Sequence, residues 1–581
     1  MVDRHGGDEI GEVLARHGIG MMFTLCGGHI SPILTGAKAR GIRIVDVRHE
    51  ASAVFAADAV ARMTGIPGVA AVTAGPGVTN ALTALKNAQM AQTPMLLFGG
   101  ATATILRGRG ALQDIDQTSL VQSAVKAHFV CNTVPSLGPT VQKALEIAQE
   151  GVPGPVFVEI PVDVLYPESV VEGWYMSETG ADKATSLGGK ALGLYLKGHL
   201  YKQFHAPYVD VSLPKVTLPS RRDVQSQIEK VAGMIRAAER PALVVGNQTM
   251  VSCHDPASLA RAVETLGMPS WLGGAARGLL GDKSQIQFRH KRSAALKEAD
   301  LVIVAGFPND FRLKYGRGFG KATLVSANLS LEEIRKNRRP DVGVQMHPAD
   351  FLRGLASAVG QNGQGRWDTW FSAIREREDK RDADIAAGGT AEGELINPVH
   401  LFQRIEAKMA DDSVIVADGG DFVATGAYIL KPRGPLSWLD PGVFGTLGVG
   451  GGFAVGAACV RPDAEVWLIW GDGSSAYSLA EFDTCARHGL APIAVVGTDA
   501  SWAQIARDQK TILGDDVATV LEKTPYHDVA EGYGGKGLLL TDPAKVDEVL
   551  DEAKAIAKSG KPVLINAHLR ASDFRKGSIS I

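Results

Sequence analysis

Val466-Trp467-Leu468-Ile469-Trp470-Gly471-Asp472-Gly473-Ser474 is the stretch that decides the fold. Its apolar run reads as a strand, Gly471-Asp472-Gly473 as a tight turn, and residues 478–483 as helix. A Gly-Asp-Gly tripeptide alone is an ordinary turn. Here a second apolar strand, Pro492-Ile493-Ala494-Val495-Val496, leads to Thr498-Asp499-Ala500-Ser501-Trp502. Asp499, 27 positions after Asp472, thereby reaches the same edge of a parallel sheet. Two carboxylates are hard oxygen ligands suited to Mg2+, and the free N–H groups that open a helix can meet phosphate oxygens. The pair reads as a seat for a diphosphate and its metal.

Working outward, helical patterns alternate with short apolar strands. Residues 68–72, 95–98 and 155–160 are such strands in the first part of the chain, and 241–246 and 300–306 in the second. Residues 414–417, 466–470, 492–496 and 563–566 follow in the third. The alternation predicts an α/β fold of three doubly wound parallel-sheet domains, over residues 1–170, 222–360 and 396–569. Residues 171–221, rich in Gly, Lys and Tyr and weakly periodic, read as a connector. Residues 361–395 read as a charged helical linker, in which Arg375-Glu376-Arg377-Glu378-Asp379-Lys380-Arg381 is a solvated face with i,i+4 pairs. Residues 570–581 mix charge and apolar groups without caps, as a lid or a frayed tail does. No short fixed period recurs, which excludes a solenoid.

A chain of 581 residues needs several cores. With 45% hydrophobic and 21% charged residues it has ordinary globular composition, and a net charge of −3 gives no reason to expect nucleic acid or an acidic membrane surface. Five scattered cysteines fit free thiols in a reducing compartment, and Cys26, beside Gly27-Gly28-His29, is expected to be a small buried apolar residue. The first residues carry no secretory h-region, and the long uncharged run 443–460 is too glycine-rich for a membrane helix. A cytoplasmic protein is expected. The glycines at 448–456 do not form Gly-x-Gly-x-x-Gly after a strand, which disfavours a nicotinamide dehydrogenase.

At the Gly-Asp-Gly segment the chain resembles the thiamine-diphosphate enzymes of the acetolactate synthase group, whose signature is Gly-Asp-Gly followed downstream by Asn-Asn. Thr498-Asp499 stands in place of Asn-Asn, and Asp keeps a side-chain oxygen for a cation. Arg48-His49-Glu50, Thr73-Ala74-Gly75-Pro76-Gly77-Val78-Thr79-Asn80 and Gly445-Thr446-Leu447-Gly448 resemble further segments of that group. Within it, the chain is similar to the 2-hydroxyacyl-CoA lyases, including the actinobacterial type that acts on 2-hydroxyisobutyryl-CoA. Phe23-Thr24-Leu25-Cys26-Gly27-Gly28-His29-Ile30-Ser31-Pro32, Arg109-Gly110-Ala111-Leu112-Gln113, residues 417–425 and the tail at 573–579 carry that likeness, which fades between about 170 and 225.

The resemblance implies domains of the pyruvate oxidase/decarboxylase-like type. They are an N-terminal pyrimidine-binding domain, a middle domain that is a candidate for CoA or ADP, and a diphosphate- and Mg2+-binding domain. It implies that Asp472, Asp499 and the carbonyl of Ser501 ligate the metal. Gly420, Asp421, Phe422, Gly471, Gly473 and Ser474 surround the diphosphate, and Gly27, Gly28, Pro76 and Asn80 also touch the cofactor. Gly445 offers its carbonyl to the pyrimidine amine and Leu447 props the bent cofactor, a volume-conserving replacement of the group's Met. Glu50, otherwise an N-cap or a partner of Arg48, shares a proton with the pyrimidine ring nitrogen. Because Glu50 and Gly-Asp-Gly lie in different domains, which this group takes from two subunits, a dimer is the least active unit and a dimer of dimers is expected.

On the substrate side, His29 follows two glycines at a strand end and can exchange a proton with a substrate hydroxyl, or serve structure. Gln113 matches a glutamine that reaches the site in related enzymes. Leu112 replaces an aromatic side chain and leaves room for a branched acyl group. Arg277, Arg289, Arg292, Arg312 and Lys314 cluster in the middle domain, as solvated surface or as a clamp for the phosphates of CoA. The implied reaction is cleavage of a 2-hydroxyacyl-CoA to formyl-CoA and a ketone or aldehyde, plausible for 2-hydroxyisobutyryl-CoA. The rivals are a 2-oxoacid carboligase of the acetolactate synthase kind and a catalytically silent regulatory subunit.

Overall fold

The computed structural model describes residues 4–208, 221–360 and 365–576. They form two compact units, one holding the residues up to 61 and from 66 to 208, the other holding 62–65 and the rest. In the first unit six parallel strands run β1 (Met21–Thr24), β2 (Arg43–Asp46), β3 (Gly68–Val72), β4 (Met95–Ala101), β5 (Ala127–Val130) and β6 (Pro155–Pro161). Their order in space is β2-β1-β3-β4-β6-β5. Every residue of β3, β4 and β6 is buried, so these strands show no polar alternation. The helices Gly6–Arg16, Ser31–Lys38 and Leu137–Gln149 bury Ile10, Leu14, Ile33, Leu137 and Val141 against Val69, Leu96, Val156 and Val158. Burying each such Leu, Ile or Val favours the fold by roughly 1.5–3 kcal/mol.

The connector departs from its sequence reading. Glu168–Thr179 and Leu187–His205 are helices that pack together through Val171, Tyr175, Leu196 and Leu200. Leu187–His205 buries only Leu196, Leu200 and Gln203, while Leu187, Leu194, Tyr195 and Tyr201 are exposed. Apolar residues on all sides hide the helical period that would have marked it. Residues 209–220 of the expected connector lie outside the described residues.

The second unit holds two sheets. Strands β7 (Pro241–Val245), β8 (Ser270–Leu272), β9 (Leu301–Ala305), β10 (Thr323–Asn328) and β11 (Val342–Gln345) lie in the order β11-β10-β9-β7-β8. Strands β12 (Val414–Asp418), β13 (Trp438–Leu439), β14 (Val466–Gly471), β15 (Ile493–Thr498), β16 (Lys536–Leu540) and β17 (Val563–His568) lie in the order β13-β12-β14-β15-β17-β16. This repeats the order of the first sheet. In both six-stranded sheets the chain leaves the first strand to one side and returns on the other, which opens a crevice between the first and third strands at their carboxyl ends.

The charged linker is helical over Asp368–Gly388, but its charges are not paired along the helix as expected. Trp370 and Ile374 enter the core of the five-stranded domain. Arg377 pairs with Glu298 at 2.8 Å, Arg375 lies over the Phe288 ring at 4.4 Å, and the buried Glu378 accepts from the backbone N–H groups of Arg289 and His290. Residues 361–364 lie outside the described residues. The uncharged run forms the buried helix Val449–Val460, and among the described residues no helix is long and apolar enough to cross a membrane. The expectation for Cys26 is corrected, since its loop after β1 leaves it exposed; all five thiols are free. After β17 the tail packs Phe574 against the last domain, and residues 577–581 lie outside the described residues.

Candidate functional site

The crevice between β12 and β14 opens into a cavity of about 270 Å3. Gly419 and Gly420 follow β12 and lead into the helix Asp421–Ile429, whose first N–H groups have no acceptor within the helix. On the other wall Gly471, Asp472, Gly473 and Ser474 follow β14, with Gly445 and Leu447 completing the lining. The glycines are needed for close approach. A Cβ on Gly473 would lie 2.4 Å from the Trp502 ring, and one on Gly419, at φ +146°, would lie 2.8 Å from the N–H of Gly471. Bare backbone beside a helix N-terminus is the environment that a diphosphate requires.

The side chains are set in three ways. The Ser474 hydroxyl donates to the carbonyls of Asp418 (2.7 Å) and Gly471 (3.0 Å), so it ties the two strands together. The Asp421 carboxylate is ion-paired with Arg507, which leaves main-chain donors at that corner of the cavity; its Oδ1 has no hydrogen-bond partner among the described residues. Asp472 accepts from the N–H groups of Gly473 and Ala500, both at 2.8 Å, and Asp499 accepts from that of Ser501 at 3.2 Å. Ala500 sits between these groups at φ +56°, a left-handed conformation costly for alanine. The loop is held there by Thr519, whose carbonyl accepts from the Ser501 hydroxyl and the Trp502 N–H, and by Leu521, which donates to the Ala500 carbonyl.

Burial and the neighbouring Asp472 carboxylate push Asp499 up to about 7, and burial raises Asp472 as well. Two carboxylates that cost free energy to ionise together are stabilised by a shared cation. Donor type, close backbone and buried charge therefore fit Mg2+ and a diphosphate.

Asp418, which the sequence marks only as part of the stretch 417–425 and with no role of its own, closes an apolar strand. It accepts from the N–H of Gly448 (3.2 Å), the N–H of Gly450 (2.8 Å) and the Trp470 indole (3.0 Å). It thus fixes the turn that carries Gly445 at φ +64° and Gly448 at φ +90°. Trp502 and Gln504 also line the cavity.

In the first unit the crevice between β1 and β3 gathers the other expected residues. Glu50 opens the helix Glu50–Thr64, is only 6% exposed, and accepts from the Asn80 amide at 3.1 Å. Asn80 lies on the helix Pro76–Ala91, whose N-cap Gly75 has φ +62°. Gln113, at φ +62°, packs on Gly75 so closely that a Cβ there would lie 3.0 Å from its own. The buried Gln117 joins these parts, accepting from the Gly75 N–H at 2.8 Å and donating to Glu159 at 2.8 Å. His29 meets the Thr73 hydroxyl through Nδ1 at 3.3 Å, and burial holds its pKa below the usual value, so it is neutral at pH 7. Gly27 lies against Thr73, and the Gly28 carbonyl accepts from Tyr166 at 3.1 Å. Leu112 is 81% exposed.

Three members of the basic cluster, Arg277, Arg289 and Arg292, line one cavity of about 560 Å3, and the first two also donate to main-chain carbonyls. Arg277 donates to the carbonyl of Ala427 at 3.0 Å. Arg289 donates to those of Ala427, Ile429 and Leu430 at 3.2, 3.2 and 2.6 Å. Both thus cap the carboxyl end of Asp421–Ile429, and burial holds Arg289 down to about 10. Arg312 is paired with Asp310 at 2.6 Å and stacked on Phe307 at 4.1 Å, and Lys314 is exposed at φ +52°. Arg292, which donates to the Arg312 carbonyl at 2.7 Å, lines that same cavity together with Lys291 and Tyr428.

Three family models match the chain. A thiamine pyrophosphate enzyme N-terminal TPP-binding domain covers residues 4–120, a central domain 228–355, and a C-terminal TPP-binding domain 418–567. A 2-hydroxyacyl-CoA lyase 2 of Danio rerio is 47% identical over 100% of this chain and 94% of its own length. One from Homo sapiens is 44% identical over 100% and 92%. An acetolactate synthase large subunit of Mycobacterium tuberculosis is 31% identical over 97% and 95%.

Proposed function

This chain belongs to the thiamine pyrophosphate enzyme family, and from that premise we propose that it is a thiamine-diphosphate- and Mg2+-dependent lyase. Its substrate is a 2-hydroxyacyl-CoA, cleaved to formyl-CoA and a ketone or aldehyde. The observation that carries the cofactor is the meeting of Asp472 and Asp499 beside the open N-terminus of Asp421–Ile429. The full-length likeness to 2-hydroxyacyl-CoA lyases supports the reaction.

When bound, thiamine diphosphate supplies a nucleophilic carbon and a sink for the electron pair released when a carbon–carbon bond breaks. The chain's own groups do the rest. Asp472, Asp499 and the Ser501 carbonyl would hold the metal, and the N–H groups of Gly420, Asp421 and Phe422 would meet phosphate oxygens. Glu50, held by Asn80, would keep a proton at the pyrimidine nitrogen. Neutral His29 is suited to take the proton of the substrate's 2-hydroxyl as the C1–C2 bond breaks. That proton balances the one gained by C1, so the hydroxyl-bearing carbon leaves as the carbonyl of a ketone or aldehyde and C1 leaves as the formyl thioester. Gln113 and the open space over Leu112 would face a branched acyl group, and Arg292 with Lys291 the CoA phosphates. A dimer of dimers in the cytoplasm belongs to the same proposal, with the free thiols in its favour.

The test is incubation with thiamine diphosphate, Mg2+ and either 2-hydroxyisobutyryl-CoA or pyruvate, read by mass spectrometry. Formyl-CoA with acetone is the expected result. Acetolactate with CO2 would move the protein to the carboligases instead.

A further inference from the structure

Asp499 stands where related signatures carry an amide, and among the described residues no Lys or Arg is ion-paired with it, although Arg507, Lys510, Arg570 and Arg575 line a neighbouring cavity that it also lines. The hydrogen bonds to the Asp472 and Asp499 carboxylates come from backbone N–H groups of Gly473, Ala500 and Ser501. Arg507, on the helix Ala503–Leu513 that follows this loop, is engaged with Asp421 and with the Arg575 carbonyl. Among the described residues neither carboxylate has a Lys or Arg ion pair. Two carboxylates thus share one partly buried edge, hydrogen-bonded only by backbone N–H groups.

Two consequences follow from electrostatics. A diphosphate arriving first meets like charge on Asp472 and Asp499, whereas a divalent cation arriving first meets a site whose formal charge it cancels. With an amide at 499 one carboxylate remains, and the diphosphate itself must supply the rest of the cation's ligand charge. Affinity of oxygen-ligand sites for divalent cations rises steeply with the number of charged ligands.

We propose that the divalent cation binds this protein before the diphosphate and is retained without it, with Asp499 imposing that order. The inference rests on the cofactor reading above and concerns the chain's own carboxylates, so it is tested without turnover. Full-length apoprotein is titrated with Mn2+ and free Mn2+ is read by electron paramagnetic resonance, with and without thiamine diphosphate. Cofactor binding in the presence of EDTA is followed by quenching of tryptophan emission, Trp502 being in the cavity wall.

One Mn2+ per chain bound without thiamine diphosphate is expected, with Asp499→Asn weakening it roughly tenfold or more. In EDTA the variant should bind thiamine diphosphate more tightly than the wild type does. Mn2+ taken up only when thiamine diphosphate is present, or held equally well by Asp499→Asn, overturns the inference and leaves the cofactor reading standing. No Mn2+ uptake under either condition overturns both. The wild-type titration decides between these outcomes even if the variant does not fold.

Discussion

Glu50 has one neutral donor, Asn80, at a nearly closed position on the first turn of its helix. A carboxyl so placed can hold a proton for a ring nitrogen, whereas an amide of the same shape cannot exchange one. Glu50→Gln should therefore retain thiamine diphosphate but lose about 10^2- to 10^4-fold in kcat, measured as formyl-CoA released. Asp418 makes a different kind of claim, because it touches no ligand and acts through the Gly445–Gly448 turn. Its three donors favour the anion, yet burial wins and lifts the carboxyl to about 6 from 3.8. A folded value above the unfolded one means that its contribution to stability is fully present below about pH 4 and is lost as the pH rises through about 6. The size is on the order of 3 kcal/mol. In Asp418→Asn the stability–pH curve should lack that fall. With its oxygen kept toward Gly450 and Trp470, the amide would set an N–H against that of Gly448, a lost buried hydrogen bond of about 1–3 kcal/mol. Cofactor binding should then weaken by roughly tenfold, as read in a fluorescence titration.

The helix Asp421–Ile429 connects the cofactor cavity at one end with the middle domain at the other. Arg277 and Arg289 place positive charge on its terminal carbonyls, which complements the helix dipole and holds the N-terminus toward the cavity. Arg289→Ala should lower stability by about 2–3 kcal/mol and weaken thiamine diphosphate binding, because it leaves the carbonyls of Ile429 and Leu430 without that donor and Ala427 with Arg277 alone. Arg292→Ala should instead raise the KM for the acyl-CoA and cost only about 1 kcal/mol of stability, since it removes a single bond to the Arg312 carbonyl, and calorimetry beside kinetics separates the two.

That contrast also marks how far the sequence could be read. Strands buried on both faces, such as Val466–Gly471 and Pro155–Pro161, announce themselves as unbroken apolar runs, and turns that carry Asp or Gly after them mark the sheet edge. A capping arginine has no such mark, since its acceptors are carbonyls about 140 positions away and every residue type offers one. Asp418 was hidden by position, as the last residue of a strand, and the helix Leu187–His205 by apolar residues on all its sides.

At the scale of the whole molecule, the two six-stranded sheets repeat one strand order, and each carries one half of the expected chemistry at its own crevice. Glu50 belongs to the first unit and the Asp472–Asp499 pair to the second. If, as the resemblance implies, a working site takes Glu50 from one subunit and Asp472 from another, two dead variants should repair each other. Glu50→Gln has no proton carrier but an intact metal edge, and Asp472→Ala has the reverse. Random re-association of equal amounts makes half of the dimers mixed, and each mixed dimer has one site with both wild-type residues and one with neither. About one quarter of wild-type activity per subunit should return, a proportion set by the two-fold symmetry of a dimer. Were each site built within a single chain, no mixed dimer would contain a whole one, and the mixture would stay as inactive as its parents. Formyl-CoA release before and after subunit exchange distinguishes these results, and size-exclusion chromatography of the same samples shows whether exchange took place.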